Sequence, residues 1–218
     1  FKSQTKVRSI KKGFSNFRQR SPGRYEIVHP GLYEFISRLA LSASDSSRKK
    51  TPVWMPILEH LLGKKLRLSA SGIFLALPEA KTQPFHTDGP ALSAKYNLPC
   101  HAINLFIPLV KTGPFNGTQI EPGTQVSPHK ESRKFIGELD IPLHTKRSER
   151  YVVPEVAAGG AYLFDYRVRH RGLANLTKSN RPCVYFTFTR DWYSDTENFS
   201  NKRYSKELPV SMRFPKSL

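Results

Sequence analysis

The feature that most constrains this chain is a series of short apolar segments after residue 65, each cut off by Gly, Pro or Asn. They are LRLSASGIFLAL from Leu66, HAINLFIPLV from His101, RYVVPEV from Arg150, AYLFDYRV from Ala161 and CVYFTFTRDWY from Cys183. Segments of this length, rich in β-branched and aromatic residues and spaced by turn formers, predict strands of an antiparallel sandwich or barrel. Two earlier segments follow a helical period instead. Residues 29–43 (HPGLYEFISRLALSA) place Leu32, Phe35, Ile36 and Leu39 on one face, and residues 53–62 (VWMPILEHLL) do the same before Gly63, with the polar stretch SASDSSRKKTP between them. Helices first and strands afterwards is an α+β order, in which the helices cover one face of a jelly roll.

Charge bears on the partners more than on the fold. The 218 residues carry 35 Lys and Arg against 17 Asp and Glu, a formal charge of +18, which suits nucleic acid, an anionic surface or an acidic substrate. The surplus sits at the ends. Residues 1–25 hold eight basic side chains and no acid, and the stretch from Ser200 holds five against Glu207, so these ends supply 12 of the 18. The division expected is a basic arm over 1–25, a tail or the remnant of an organelle-targeting peptide, followed by a single domain over 26–218. No run of 18 apolar residues occurs, so no membrane span is expected, and no apolar stretch follows the basic start as a secretory signal requires. The chain opens at Phe1 rather than Met, as a processed or partial form does. Cys100 and Cys183 lie 83 residues apart without a CxxC spacing, which excludes a disulfide scaffold or a cysteine-rich zinc site; two thiols flanked by apolar runs suit the cytoplasm or another reducing compartment. Oligomeric state has no signature in the sequence.

Two stretches carry chemistry: QPFHTDGP at 83–90 and FDYRVRHRGLANLTKSNRP at 164–182. His86 and Asp88 stand two apart, so on an extended backbone both side chains leave the same side and reach one ion. His170 follows an apolar strand and reaches the same point from across a barrel. Two imidazoles and a carboxylate on one side of a metal leave positions open on the other, the ligand set of non-haem Fe(II) oxygen chemistry. Arg181, eleven residues after His170, heads the last strand, where its planar fork can hold a carboxylate in bidentate fashion. His29, His60, His129 and His144 lack partners at ligand spacing, and His101, which starts the strand bearing Asn104 within reach of the metal, is expected to be structural or exposed. Arg167, Arg169 and Arg171 alternate on an extended segment, which places them on one face as a solvated edge or a positive rim.

From about Ile73 to Tyr193 the order of motifs (Q-x-x-H-x-D, then IPL, NGTQIEPGT, H-R-G-x-x-N, R-P and a strand ending in W-Y) resembles the phytanoyl-CoA dioxygenase family of Fe(II)- and 2-oxoglutarate-dependent oxygenases. The resemblance implies a double-stranded β-helix and a chemistry in which Fe(II), 2-oxoglutarate and O2 act together and succinate and CO2 are released. It implies that His86, Asp88 and His170 are the iron ligands and that Arg181 pairs with the distal carboxylate of 2-oxoglutarate. It also places Asn104 and Thr118 beside the cosubstrate. Gln125 departs from the family, whose P-G-S-H turn has His there, and Asn116-Gly117 stands one residue nearer Pro122 than usual. Asp88 is the carboxylate that halogenating relatives replace by a small residue, so its presence implies hydroxylation or a related oxidation. Phe85, Phe106 and Phe164 are candidates to wall the cavity.

The substrate expected is a small molecule, anionic or carrier-linked. Two other readings stand beside it: a nucleic-acid-binding or nucleic-acid-modifying protein, and a cupin-type metalloprotein that does not use 2-oxoglutarate. The R-x-N-x-T-x-R spacing of base demethylases is absent from RPCVYFTFTR, so charge alone supports nucleic acid as a partner.

Overall fold

The structure is a computed structural model that describes residues 17–27, 52–93, 95–126 and 151–195. The helix expected over residues 29–43 lies outside these. The second helix forms as α1, Met55–Leu62, with Pro56 in its first turn, where a missing N–H costs nothing, and Gly63 closing it at φ 88°, donating its N–H to Glu59 O. No helix among the described residues is long and apolar enough to cross a membrane.

The rest is antiparallel sheet. The strands are β1 (Phe17–Ser21), β2 (Arg24–Ile27), β3 (Arg67–Ala76), β4 (Ala102–Pro108), β5 (Thr118–Glu121), β6 (Tyr162–Asp165), β7 (Arg169–Gly172) and β8 (Arg181–Thr189). Six form one sheet in the order β1-β2-β3-β8-β4-β6, and β5 pairs with β7 in a second. Single bridges widen the second sheet: His86 pairs with His170 on one side, and Ile120 with Val152 on the other.

Alternation on β4 and β8 assigns the two faces of the main sheet. Ile103, Leu105, Val184, Phe186 and Phe188 point one way and pack with Leu58 and Leu62 of α1. Each fully buried leucine contributes about 1.5–3 kcal/mol by leaving water, which is what fastens so short a helix to the sheet. Phe106, Cys183 and Tyr185 point the other way and pack with Ala70, Phe164 and Val168, with Ile120 of β5 against them, so the second sheet closes over this inner face. Phe74 stacks on Tyr185 at 4.2 Å and Phe164 meets Phe106 edge-on at 4.9 Å.

Two expectations are corrected. Residues 17–25, assigned to a basic arm, include β1 and the start of β2, so the boundary at 25 falls inside a strand of the main sheet. The described residues of RYVVPEV, 151–156, form no strand; they touch β5 and Thr112 through single bridges at Val152 and Val156, on either side of Pro154, which has no N–H to extend a ladder. β5 stops at Glu121, and residues 122–125 form a turn. Both cysteines are free, Cys183 buried and Cys100 partly so, with burial pushing the Cys100 thiol up to about 12 and the Cys183 thiol to about 11, so both are neutral and unreactive near pH 7.

Candidate metal centre

Backbone pairing brings the three predicted ligands together. His86 and His170 exchange N–H···O bonds of 2.9 Å with each other, which makes them directly opposed residues on one face of the second sheet, rings 4.5 Å apart. Asp88 follows two residues later, its N–H donated to Tyr166 O at 3.1 Å, so it leaves on the same side as His86. One ligand atom from each of the three lies within 4.8 Å of the others.

The ring orientations suit a cation. Each imidazole has Nδ1 at 3.0 Å from the carbonyl two residues back, Pro84 O for His86 and Val168 O for His170. A carbonyl only accepts, so Nδ1 carries the proton in both rings and Nε2 offers its lone pair. Those Nε2 atoms face Asp88, at 3.8 Å from Oδ1 for His86 and 3.5 Å from Oδ2 for His170. Burial pushes His170 toward its neutral, ligating form against the pull of the Asp88 charge. His86 and Asp88 are partly exposed and His170 is buried, so the centre opens toward the first two.

Asp88 is held from behind. Asn104 Nδ2 donates to Asp88 Oδ2 at 2.6 Å, and Thr187 Oγ1 donates to Asn104 Oδ1 at 2.7 Å; Asn104 and Thr187 are opposed residues of β4 and β8. Asn104 and Thr187 border a small cavity that also touches Asp88.

His86, Asp88, His170, Thr118 and Arg181 line one larger cavity of about 610 Å³, counting the open space at its mouth. Arg181 is 5% exposed, and its buried Nε has no hydrogen-bond partner. Its place is set by the loop between β7 and β8. Asn175, fully buried, donates through Nδ2 to Ala76 O and Ser179 O and accepts at Oδ1 from the Thr177 N–H and hydroxyl, which explains the Asn of H-R-G-x-x-N. Thr118 Oγ1 accepts from Tyr162 OH at 2.9 Å.

A model of the family described as phytanoyl-CoA dioxygenase matches residues 10–183. The chain belongs to this family. Among solved structures, the non-heme alpha ketoglutarate dependent epimerase SnoN from nogalamycin biosynthesis is similar at a TM-score of 0.52 and 18% identity, over 77% of this chain and 63% of that one. HygX from Streptomyces hygroscopicus, crystallised with nickel and 2-oxoglutarate, is similar at 0.57 and 12%, over 82% and 75%. AviO1 from Streptomyces viridochromogenes is similar at 0.51 and 17%, over 84% and 75%. These likenesses are of fold, and the chain spans less than two thirds of the length of SnoN.

In this phytanoyl-CoA dioxygenase family member, other predicted residues fall elsewhere. Phe106 lines the cavity and Phe164 packs on the His170 ring at 4.9 Å, but Phe85 lies on the outer face, stacked on Tyr151 at 5.1 Å with the Arg171 guanidinium 4.2 Å over it. The three arginines do not form one rim. Arg167 is buried and grips Asp165, whose carboxyl these bonds hold below its usual range although burial alone would lift it; Arg169 pairs with Glu121 and Arg171 with Gln119 across β5 and β7. Thr187 and Gln83 are site residues that reading the sequence did not single out. Gln83 Oε1 accepts the Gly172 N–H at 3.0 Å, fixing the segment that carries His86 to β7; its signal was the first letter of Q-x-x-H-x-D.

Proposed function

We propose that this protein is an Fe(II)- and 2-oxoglutarate-dependent oxygenase that oxidises an unactivated C–H bond of a small molecule, and that its two sheets are the halves of a double-stranded β-helix. One observation carries the reading: a His–Asp–His cluster with ligand atoms within 4.8 Å and a buried guanidinium with an unsatisfied Nε line the same cavity. An unpartnered buried cation is costly, so a site built this way is completed by an anion that reaches Arg181 while its other end meets the metal.

His86, Asp88 and His170 would hold the iron, Arg181 the distal carboxylate of 2-oxoglutarate, and Thr118 flanks that carboxylate. When bound, iron supplies the oxidation, coupling cleavage of O2 and loss of CO2 from 2-oxoglutarate to transfer of one oxygen atom to the substrate and the other to succinate. The chain's own side chains orient and shield. Asp88 offsets part of the metal charge and leaves enough to attract a dianionic cosubstrate. Asn104 keeps Asp88 in place, and it flanks the cosubstrate from the Asp88 side. Phe106 and Phe164 keep water off the inner side of His170. The substrate enters on the open side at His86 and Asp88.

Mixing the protein with Fe(II) and 2-oxoglutarate without oxygen tests this. A weak visible metal-to-ligand absorption is expected, lost in His86→Ala. Arg181→Ala keeps metal binding and weakens 2-oxoglutarate, which separates this reading from a cupin that does not use the acid. Absence of the band together with absence of succinate formation on admitting air and a metabolite extract overturns the proposal.

A further inference from the structure

Two buried arginines stand in one row of the main sheet. Arg24 of β2 is opposite Ala76 of β3, and Ala76 is opposite Arg181 of β8. Directly opposed residues project from the same face, and with strands about 4.8 Å apart the two arginine backbones are separated by about 10 Å. The residue between them, Ala76, carries only a methyl group and lines the same cavity. Arg24 is 6% exposed and Arg181 5%, and both line the cavity of the His–Asp–His cluster. Asp88 is the sole acid among the described residues that line this cavity, and its carboxylate faces the two histidines. Burial, and then the charge of Arg181, push the Arg24 guanidinium down to about 10.

Arg24 is anchored along one edge. Its Nε and Nη2 donate to Lys81 O at 3.1 and 2.9 Å, and Nη2 also reaches Leu173 O at 2.5 Å and Gly172 O at 3.4 Å. Its Nη1 takes part in none of these bonds. That atom sits beside Gly172, where an added Cβ would come within 2.9 Å of it and 2.5 Å of Gln83 Oε1. Gly172 is opposite Thr118, so the free edge of Arg24 lies in the part of the cavity that Thr118 and Arg181 border.

We infer that Arg24 is a second cation for the distal carboxylate of the cosubstrate, which is held between Arg24 and Arg181. The inference rests on the cosubstrate reading above and deepens it. Two like charges are buried in one row of the main sheet and line the same cavity as the metal ligands. Such a site selects a 2-oxo acid with a second carboxylate over one with a neutral far end.

Calorimetry on the full chain loaded with Ni(II) in place of iron tests this, comparing 2-oxoglutarate with 2-oxopentanoate, which has the same five carbons and no distal carboxylate. Arg24→Gln is expected to weaken 2-oxoglutarate about 10- to 100-fold, the range for losing a charge-assisted bond, while 2-oxopentanoate changes less than about threefold. Arg24→Lys, which keeps the charge without the fork on the carbonyls, falls between, and it decides the matter by the same ratio if Arg24→Gln does not fold. Equal weakening of both acids means Arg24 acts only through the backbone it ties together, and unchanged 2-oxoglutarate binding means it does not touch the carboxylate; either overturns the inference. Failure of the unsubstituted protein to bind 2-oxoglutarate overturns the cosubstrate reading itself, and the second cation with it.

Discussion

Asn104→Ala offers the sharpest test of how the metal centre is held, because its effect can be worked from two bonds. Asn104 is 2% exposed and donates to Asp88 Oδ2 at 2.6 Å while accepting from Thr187 at 2.7 Å. A hydrogen bond to a charged group is worth about 1.5–3 kcal/mol net, and loss of an outer partner of a ligand lowers metal affinity about 10- to 100-fold. Asp88 has 26% of its side chain exposed, so water can replace part of the lost donor, and the lower half of the range, about 10- to 30-fold, is expected. Thr187→Val removes a bond between neutral groups worth about 1 kcal/mol and leaves the one to Asp88, so about a fivefold loss is expected. The assay is a Ni(II) titration against a competing chelator with no 2-oxo acid present, so a contact between Asn104 and the cosubstrate cannot contribute. Melting temperatures of the metal-free variants identify any general loss of fold. Metal affinity of Asn104→Ala within threefold of the unsubstituted protein, or a larger loss for Thr187→Val than for Asn104→Ala, would falsify the account of Asp88 as a ligand held through this relay.

Three further outcomes follow from the packing. His101 is fully buried beside Tyr193 with neither ring nitrogen hydrogen-bonded, and burial, then Arg167, hold its pKa below the ordinary 6.5 although Asp165 and Asp195 pull the other way. The unfolded chain therefore takes up the proton first as pH falls through 6.5, and stability is lost below that pH; His101→Phe flattens the fall in melting temperature between about pH 7 and 5, and an identical slope in both proteins refutes the assignment. Leu58→Ala, at a 0% exposed contact of α1 with the main sheet, costs about 2–5 kcal/mol in urea unfolding and leaves Ni(II) affinity unchanged, because the centre is on the other face. Gly89→Ala puts a Cβ 2.5 Å from the Tyr166 ring, whose carbonyl holds the Asp88 N–H, so metal affinity drops at least about tenfold in the same chelator titration; an unchanged value shows that the ring yields without moving Asp88.

What the sequence disclosed, and what it concealed, follow from one arrangement. On β4 and β8 the face toward α1 is apolar throughout, and the inward face mixes Asn104, Thr187 and Arg181 with Phe106, Cys183 and Tyr185, so these strands read as nearly continuous apolar runs and are visible. On β2 the pattern is inverted: Arg24 and Glu26 are the buried residues, and Tyr25 and Ile27 are half-buried. A search for buried apolar residues passes over such a strand, and the SPG turn before it remained the only local signal of a hairpin. The same inversion misplaced the charge. Arg20 and Arg24, counted among the surplus at the basic end, line the cavity, so part of what looked like a solvated arm is turned inward.

The residues of the site divide along the same line. His86 and Asp88 could be placed together because their relation is local, two positions on an extended chain. His170 and Arg181 were found by the order of motifs, while Gln83, Thr187 and Arg24 depend on which strand lies opposite which and have no local spacing at all. Arg24 is visible only as the far end of a three-strand row through Ala76. Buried polar residues on an inward face cost stability, which the apolar contacts of α1 and the aromatic inner cluster offset elsewhere. The places where amphipathic reasoning fails on this chain are therefore the inward-facing polar positions, Arg24 among them, and the failure at β2 is itself the reason to look there for a second cation.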